Sequence, residues 1–289
     1  MAKLKKMDWR QAVAILIVIV SVLAFAKWYW YSQYYMIPKN VFWGAIDQNF
    51  QTGYITKIVK QQSGQQVMIK QDNLQFRGSL LANSIVTLQN NSPNNKSLVV
   101  TQTIGTTMAD YLKYDQIDGN NKNKAVNVWA VGNNSKGEQP RILNDALVSS
   151  PIMFGYLNTQ KRQELIKNLR SQKVFDVDFG KTDTKYKIDG RRVYAFDVNI
   201  KLSSYIKIYS QYLKDMGQDS LAQQMSNAAI GGTLKATIYI NPASRQMVRM
   251  QPKNSDIYES YSNFGLSRLV EPPKNVKLSI ARLQQELAQ

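Results

Sequence analysis

The chain of 289 residues contains no cysteine and no histidine. Without cysteine there are no disulfides, no thiolate nucleophile and no residue that could carry a lipid anchor. Without histidine there is no catalytic imidazole, and the two absences together exclude nitrogen–sulfur metal sites. No Gly-rich phosphate cradle and no G-x-S-x-G elbow occurs. No internal repeat and no domain-breaking linker follows Pro38. Acidic residues are scarce, 20 against 37 Lys and Arg, giving a net charge of +17.

One long apolar run is present, residues 12–26, interrupted by Ser21. Lys3, Lys5, Lys6 and Arg10 precede it, and Lys27 with the aromatic block Trp28-Tyr29-Trp30-Tyr31 follows. A bilayer core takes about 20 mostly apolar helical residues. Extended from Trp9 to Tyr31, the segment is long enough. Basic residues stay cytoplasmic and Trp and Tyr favour the headgroup region, so the N-terminus is expected inside and the remainder outside. The rival is a signal peptide cut after Ala24-Phe25-Ala26. The aromatic belt would then be wasted on a soluble product, which favours a retained anchor. Either way the rest of the chain is exported. A buried helix of a cytosolic protein would not carry these flanks.

The basic tail, offset by Asp8, contributes three positive charges, leaving +14 on the exported part. Such a field attracts anionic headgroups or wall polymers, although a solvated basic surface has the same composition. Nucleic acid is not expected, because the chain is exported and no basic run is interleaved with aromatics.

Pro38-Lys39-Asn40 reads as a helix start, with Val41, Phe42, Ala45, Ile46 and Phe50 at helical spacing. Strand-like segments follow at 53–61, 65–76, 80–89, 97–104, 109–117 and 125–131. The Asn-rich stretch 90–95 reads as a loop, and 118–121 as a turn. Ser150-Pro151 reads as an N-cap before a short apolar helix at 152–157, and a second helix is expected at 160–170. Phe175, Val177 and Phe179 then alternate with acids. Residues 185–188 lead into the turn Asp189-Gly190, which would join them as a hairpin to the strand in which Tyr194, Phe196, Val198 and Ile200 alternate with polar residues. An amphipathic helix capped by Ser203 or Ser204 carries Tyr205, Ile206, Tyr209, Tyr212, Leu213 and Met216, and Gly217 ends it. A short helix at 221–228, strands at 234–240, 246–250 and 257–264, and a surface helix at 276–288 complete the pattern. Helices between runs of strands mean α+β, an antiparallel sheet covered by helices. The division is a cytoplasmic tail (1–10), an anchor (11–31), a connector (32–37), an exported domain (38–273) and a C-terminal helix (274–289).

Catalytic constellations are thin. Asp176 and Asp178 share a strand face, but Phe175 and Val177 occupy the other, so the acids should meet water. Asp115 and Asp118 sit where Asp is common in turns. Arg191-Arg192, just after a turn, could hold a phosphate, although a plain surface pair is the simpler reading. What remains is apolar: 16 Tyr, 9 Phe, 5 Trp and 10 Met. Such residues suit a pocket for flexible apolar ligands, and equally suit an ordinary core.

The order of elements resembles a known family. It rests on Val99-Val100-Thr101-Gln102-Thr103-Ile104-Gly105-Thr106, Ala109-Asp110-Tyr111-Leu112-Lys113-Tyr114 and Val193-Tyr194-Ala195-Phe196-Asp197-Val198. A helix with Tyr209 and Leu213 comes next, then Ala236-Thr237-Ile238-Tyr239-Ile240-Asn241-Pro242. Tyr261-Ser262-Asn263-Phe264-Gly265 stands before Pro272-Pro273. Over residues 40–273 this is similar to the LolA-like fold and its LppX/LprG branch of envelope lipoproteins. The resemblance implies an incomplete, strongly curved β-barrel closed by helices over a cavity for acyl chains. The family's acylated cysteine is missing, so the apolar helix would replace it as a fixed anchor.

The expectation is a membrane-anchored, non-catalytic, extracytoplasmic binder of a lipid or other apolar ligand, with no cofactor and no metal. Its cavity would be walled by Phe175, Val177, Phe179, Tyr194, Phe196, Val198, Leu234 and Ile238, with Phe154, Tyr205 and Tyr209 on the covering helices. The alternative is a surface scaffold or sensor with a filled core that binds a wall polymer or partner protein. An enzyme ranks third.

Overall fold

The computed structural model describes residues 9–92, 95–118, 126–133, 141–228, 230–265 and 270–288. Helix α1 (Trp9–Trp30) continues into a π-helical turn at Tyr31–Tyr35. Leu16, Phe25 and Trp28 are each more than half exposed. Among the described residues α1 and this turn hold the one segment long and apolar enough to cross a membrane. Pro38, whose fixed φ suits a first helical position, opens α2 (Pro38–Asn49).

An antiparallel meander follows: β1 (Tyr54–Ser63), β2 (Gln66–Gln75), β3 (Leu81–Ser92), β4 (Asn95–Thr106), β5 (Ala109–Ile117) and β6 (Ala130–Asn133). Helices α3 (Arg141–Val148) and α4 (Thr159–Ser171) come next, then the short strand β7 (Phe175–Val177). The hairpin strands β8 (Lys187–Ile188) and β9 (Arg191–Arg192) stand apart from the main sheet. Then come β10 (Tyr194–Lys201), α5 (Leu202–Asp215), α6 (Asp219–Asn227), β11 (Thr233–Asn241), β12 (Gln246–Pro252), β13 (Tyr258–Ser262), β14 (Leu278–Ser279) and α7 (Ile280–Ala288). The main sheet has twelve strands in the order β14-β6-β5-β4-β3-β2-β1-β13-β12-β11-β10-β7. Every pair is antiparallel except β14 with β6. Strand β13 thus closes the two halves of the sheet by pairing with β1, Lys57 opposite Tyr261.

Several local expectations are corrected. Residues 152–157 are not a helix. Gly155 and Leu157 donate their amides to Asn49 O and Phe50 O, and Gln51 bridges Tyr156, so the segment is held extended against the end of α2. A Cβ on Gly155 would lie 2.6 Å from the Tyr212 hydroxyl, so only glycine admits this approach. Helix α3 was not foreseen. Its start sits on Gly105, where a Cβ would come within 2.5 Å of Leu143 N. Asp110 of β5 accepts from the amides of Arg141 and Ile142 and so caps α3 from another element.

Five further expectations fail for local reasons. Strand β7 stops at Val177 because Asp178 accepts from Gly180 N and turns the chain into a short 3-10 helix, Phe179–Lys181. The Asp189-Gly190 turn joins only β8 and β9, and β10 pairs instead with β7 and β11. Ser203 and Ser204 lie inside α5, whose N-cap is Lys201 with no side-chain cap. Val126 makes only a bridge to Tyr114, and regular pairing starts at Ala130. Strand β3 runs to Ser92 and β4 begins at Asn95, so residues 90–92 and 95 of the expected loop are paired in strands instead. Residues 1–8, 93–94 and 119–121, which carried sequence expectations, lie outside the described residues.

The helices cover one face of the sheet unevenly. Along β1 the residues pass from buried at Tyr54–Lys57 to exposed at Gln61–Ser63, and β2 and β3 show the same gradient. Strands of ten to twelve residues are longer than the cover laid over them by α3 and residues 150–157. Leu283 of α7 is buried against the β5–β6 edge with Leu112 and Tyr114.

Candidate ligand-binding face of the sheet

The eleven residues singled out from the sequence do come together. Phe154, Phe175, Tyr194, Phe196, Val198, Tyr205, Tyr209 and Ile238 are buried in one core, and Val177, Phe179 and Leu234 pack against it from partly buried positions. They belong to one buried cluster. Phe42 of α2 stands between them, its ring centroid 5.8 Å from those of Phe175 and Phe179 and 5.4 Å from that of Phe196. These edge-on contacts are the favoured aromatic geometry. Sequence spacing placed Phe42 on the buried side of its helix, but nothing local said which rings it would face.

Beside this core the tyrosines of α5 form a stack. Tyr205, Tyr209 and Tyr212 follow one another at 5.6 Å. The Tyr209 hydroxyl donates to Leu147 O at 2.5 Å, and the Tyr212 hydroxyl donates to Phe154 O. Among the described residues the Tyr205 hydroxyl has no hydrogen-bond partner. Burial pushes all three phenols above their ordinary range. For Tyr205 the neighbouring phenols and the Glu259 carboxylate add to the effect.

A polar layer crosses the same face next to the apolar core. The register sets Lys57 of β1 opposite Asp72 of β2, and Asp72 opposite Ser84 of β3. Lys57 Nζ lies 3.1 Å from Asp72 Oδ2 and donates to Ser149 Oγ at 2.5 Å. Ser84 Oγ donates to Asp72 Oδ1 at 2.6 Å. On β13, Glu259 Oε2 accepts from Ser150 Oγ at 2.5 Å and from the Tyr261 hydroxyl at 2.6 Å. Burial, then the Glu259 charge, raises the Tyr261 phenol. Buried charges need such partners. The sequence reading overlooked this layer. Its trace was the placing of Lys57 between Ile55 and Val59, in phase with apolar neighbours.

Beyond the polar layer the face opens. At the free ends of β1–β4 a groove of about 430 Å³ has Met68, Leu88 and Val99 among its lining, with Gln61, Gln66 and Asn90 around them. Leu88 is 47% exposed. Met68, Leu88 and Val99 follow the alternation of Ala82, Ser84 and Val86, so they share the face that α3 covers at the other end. None of the eleven core residues borders this groove. Lys70, which reaches Asp72 Oδ2 at 3.4 Å, stands between groove and core. Among the described residues no group of three or more Asp or Glu could hold a metal ion.

The fold is similar to that of LprF from Mycobacterium bovis. The crystal structure of LprF matches this chain with a TM-score of 0.42 at 14% identity, over 82% of this chain and 96% of LprF. LprF stands in the LppX/LprG-like lipoprotein family, the branch that the sequence resembles, and at this identity the likeness to LprF concerns the fold alone. The architecture is mixed α+β, a large curved open sheet with helices and one N-terminal apolar helix. No protein-family model matches the chain, and no curated protein matches it by sequence.

Proposed function

We propose that this chain is a membrane-anchored, extracytoplasmic and non-catalytic binder of a lipid or other apolar ligand. The ligand lies on the helix-facing side of the sheet, with its apolar part over Met68, Leu88 and Val99. The carrying observation is that the sheet outruns its helical cover and leaves an apolar-floored groove of about 430 Å³, within the usual range of roughly 300–1,000 Å³ for small-molecule sites. The rim amides suit the polar end of an amphipathic molecule. The eleven core residues form the closed end of the same trough, which a deeper ligand reaches only by displacing Phe42. Apolar burial at about 25 cal/mol per Å² supplies the affinity.

Two features support the anchor: the exposed α1 and the aromatic turn that docks on the domain. The Tyr35 hydroxyl donates to Ala243 O at 3.0 Å, and the Arg245 guanidinium lies 3.8 Å from the centre of the Tyr35 ring. By register the 241–246 turn belongs with the starts of β1 and β10, so the groove lies at the opposite strand ends. The ligand is held away from the anchor, which suits presentation to a partner.

The test is lipid extraction and mass spectrometry of the full chain held in amphipol, with uptake of a fluorescent fatty acid. Binding that falls at least tenfold in Leu88→Gln and Met68→Gln supports the reading. A chain that carries no lipid and takes up no probe sinks it. The closed core under α2 and α5 favours the second reading, a scaffold or sensor for a wall polymer or partner protein, which that result would leave standing.

A further inference from the structure

A second groove, of about 600 Å³, lies near the docked aromatic turn. Two guanidinium groups border it, Arg191 of β9 and Arg249 of β12, together with the amides of Asn241, Gln246 and Asn263. Asp189 is the one acid on its border. Among the described residues neither Arg191 nor Arg249 forms an ion pair. Arg249 lies 4.5 Å over the ring of Tyr258, and its Nε has no hydrogen-bond partner. The cation–π contact holds the guanidinium against the ring at the border of the groove. Asn241 and Gln246 flank the turn that receives the Tyr35 hydroxyl through Ala243. The groove thus begins at the turn on which the anchor docks.

The geometry points to this groove as a site for a phosphate-bearing anionic headgroup of a lipid in the leaflet that the anchor enters. Arginine's planar fork matches phosphate oxygens in pairs, which an ammonium does not. Side-chain amides supply donors and acceptors for the hydroxyl groups of such a head. Trp and Tyr favour the headgroup level. The run from Trp28 to Tyr35 therefore sets the groove beside the headgroups. That placement rests on the anchor reading proposed above. The chemistry of the groove is independent of the apolar groove at the far strand ends. A preformed headgroup site next to the anchor would fix how the domain leans on the membrane, and so where its open end points.

The experiment uses the full chain in amphipol, titrated separately with dihexanoyl-phosphatidylglycerol, dihexanoyl-phosphatidylcholine and inorganic phosphate, with binding read by native mass spectrometry. Expected is saturable binding of the anionic lipid, at least tenfold weaker in Arg191→Gln/Arg249→Gln and several-fold weaker in Arg191→Gln alone. Arg191 is exposed, so that single variant keeps its fold. Arg249→Lys, which keeps the charge, should recover only part of the binding. Equal binding by wild type and double variant overturns the site. Inorganic phosphate binding as tightly as the lipid overturns the headgroup assignment. Equal binding of the zwitterionic lipid overturns the role of charge. Alkaline carbonate extraction of membranes is a separate arm. Release of the chain into the soluble fraction removes the anchor reading and the leaflet placement, and leaves the titration to judge the groove.

Discussion

Lys57 Nζ stands 3.1 Å from Asp72 Oδ2, and the two side chains keep 2% and 0% of their exposure. The pair links β1 to β2 beneath α3, and Ser149 and Ser84 satisfy further donors and acceptors. Removing Asp72 leaves the buried Lys57 ammonium without its counter-charge, a loss of about 3–5 kcal/mol, whereas removing Lys57 leaves Asp72 with Lys70 at 3.4 Å. Asp72→Ala should therefore lower the urea midpoint sharply, and Lys57→Met less so. The double variant Lys57→Met/Asp72→Leu should regain most of the loss. Additive losses in the double variant would mean that the two charges do not depend on each other.

Tyr205 and Tyr209 stack in the same buried row, yet only Tyr209 has a hydrogen bond for its hydroxyl. Tyr209→Phe should cost about 0.5–1.5 kcal/mol and leave Leu147 O without that donor. Tyr205→Phe removes a buried hydroxyl that has no partner, so it should be neutral or stabilising. Thermal melts of the two variants check the contrast, and a Tyr205→Phe loss as large as that of Tyr209→Phe would refute it.

Four buried phenols, those of Tyr205, Tyr209, Tyr212 and Tyr261, are held above the ordinary value of 10.0 in the folded chain. A group with a raised folded pKa gives stability that is complete below its unfolded pKa and lost as pH rises through the folded one. Stability should therefore be flat up to about pH 10. Above it, each of these tyrosines takes away about 1.4 kcal/mol per pH unit. Denaturation curves across that range, with tyrosinate absorbance read in parallel, should give late tyrosine titration coincident with unfolding. Gradual titration of all tyrosines before unfolding would contradict it.

Phe42 packs its buried ring edge-on against Phe175, Phe179 and Phe196. Phe42→Ala should cost about 3–5 kcal/mol. The space left would be lined by apolar side chains, and such cavities stay dry and take up small apolar molecules. Addition of xenon or benzene should raise the melting temperature of Phe42→Ala and not that of the parent. A variant that collapses and gains nothing from either would show that α2 can move into the gap.

The regular meander β1–β5 was legible because strand-like runs are separated by turns carrying Gly, Asn or Ser, Thr107-Met108 between β4 and β5 excepted. Helices α2, α4 and α5 followed from their apolar spacing. Residues 152–157 misled because a short apolar run reads alike as helix or buried extended chain, and amides paired to Asn49 and Phe50 decided it. Helix α3 was hidden because its N-terminal cap, Asp110, lies more than 30 residues earlier. The candidate wall residues were found as core formers. That Phe175, Phe179 and Phe196 meet around Phe42 depended on a residue from a helix read for its own periodicity.

The sequence by itself determined the apolar helix with its aromatic belt, the excess of positive charge, the α+β order of elements and the absence of thiol and imidazole chemistry. Each of these is a property of composition or of neighbours within a few residues. The tertiary structure alone decided that the eleven residues share one buried cluster and that an open groove lies at the ends of β1–β4. It also decided that Lys57 meets Asp72 and that Arg191 and Arg249 share a groove beside the Tyr35 contact. These depend on strand register and on which helix covers which stretch of sheet. Burial is a sum over contacts distant in sequence, and no local pattern carries it.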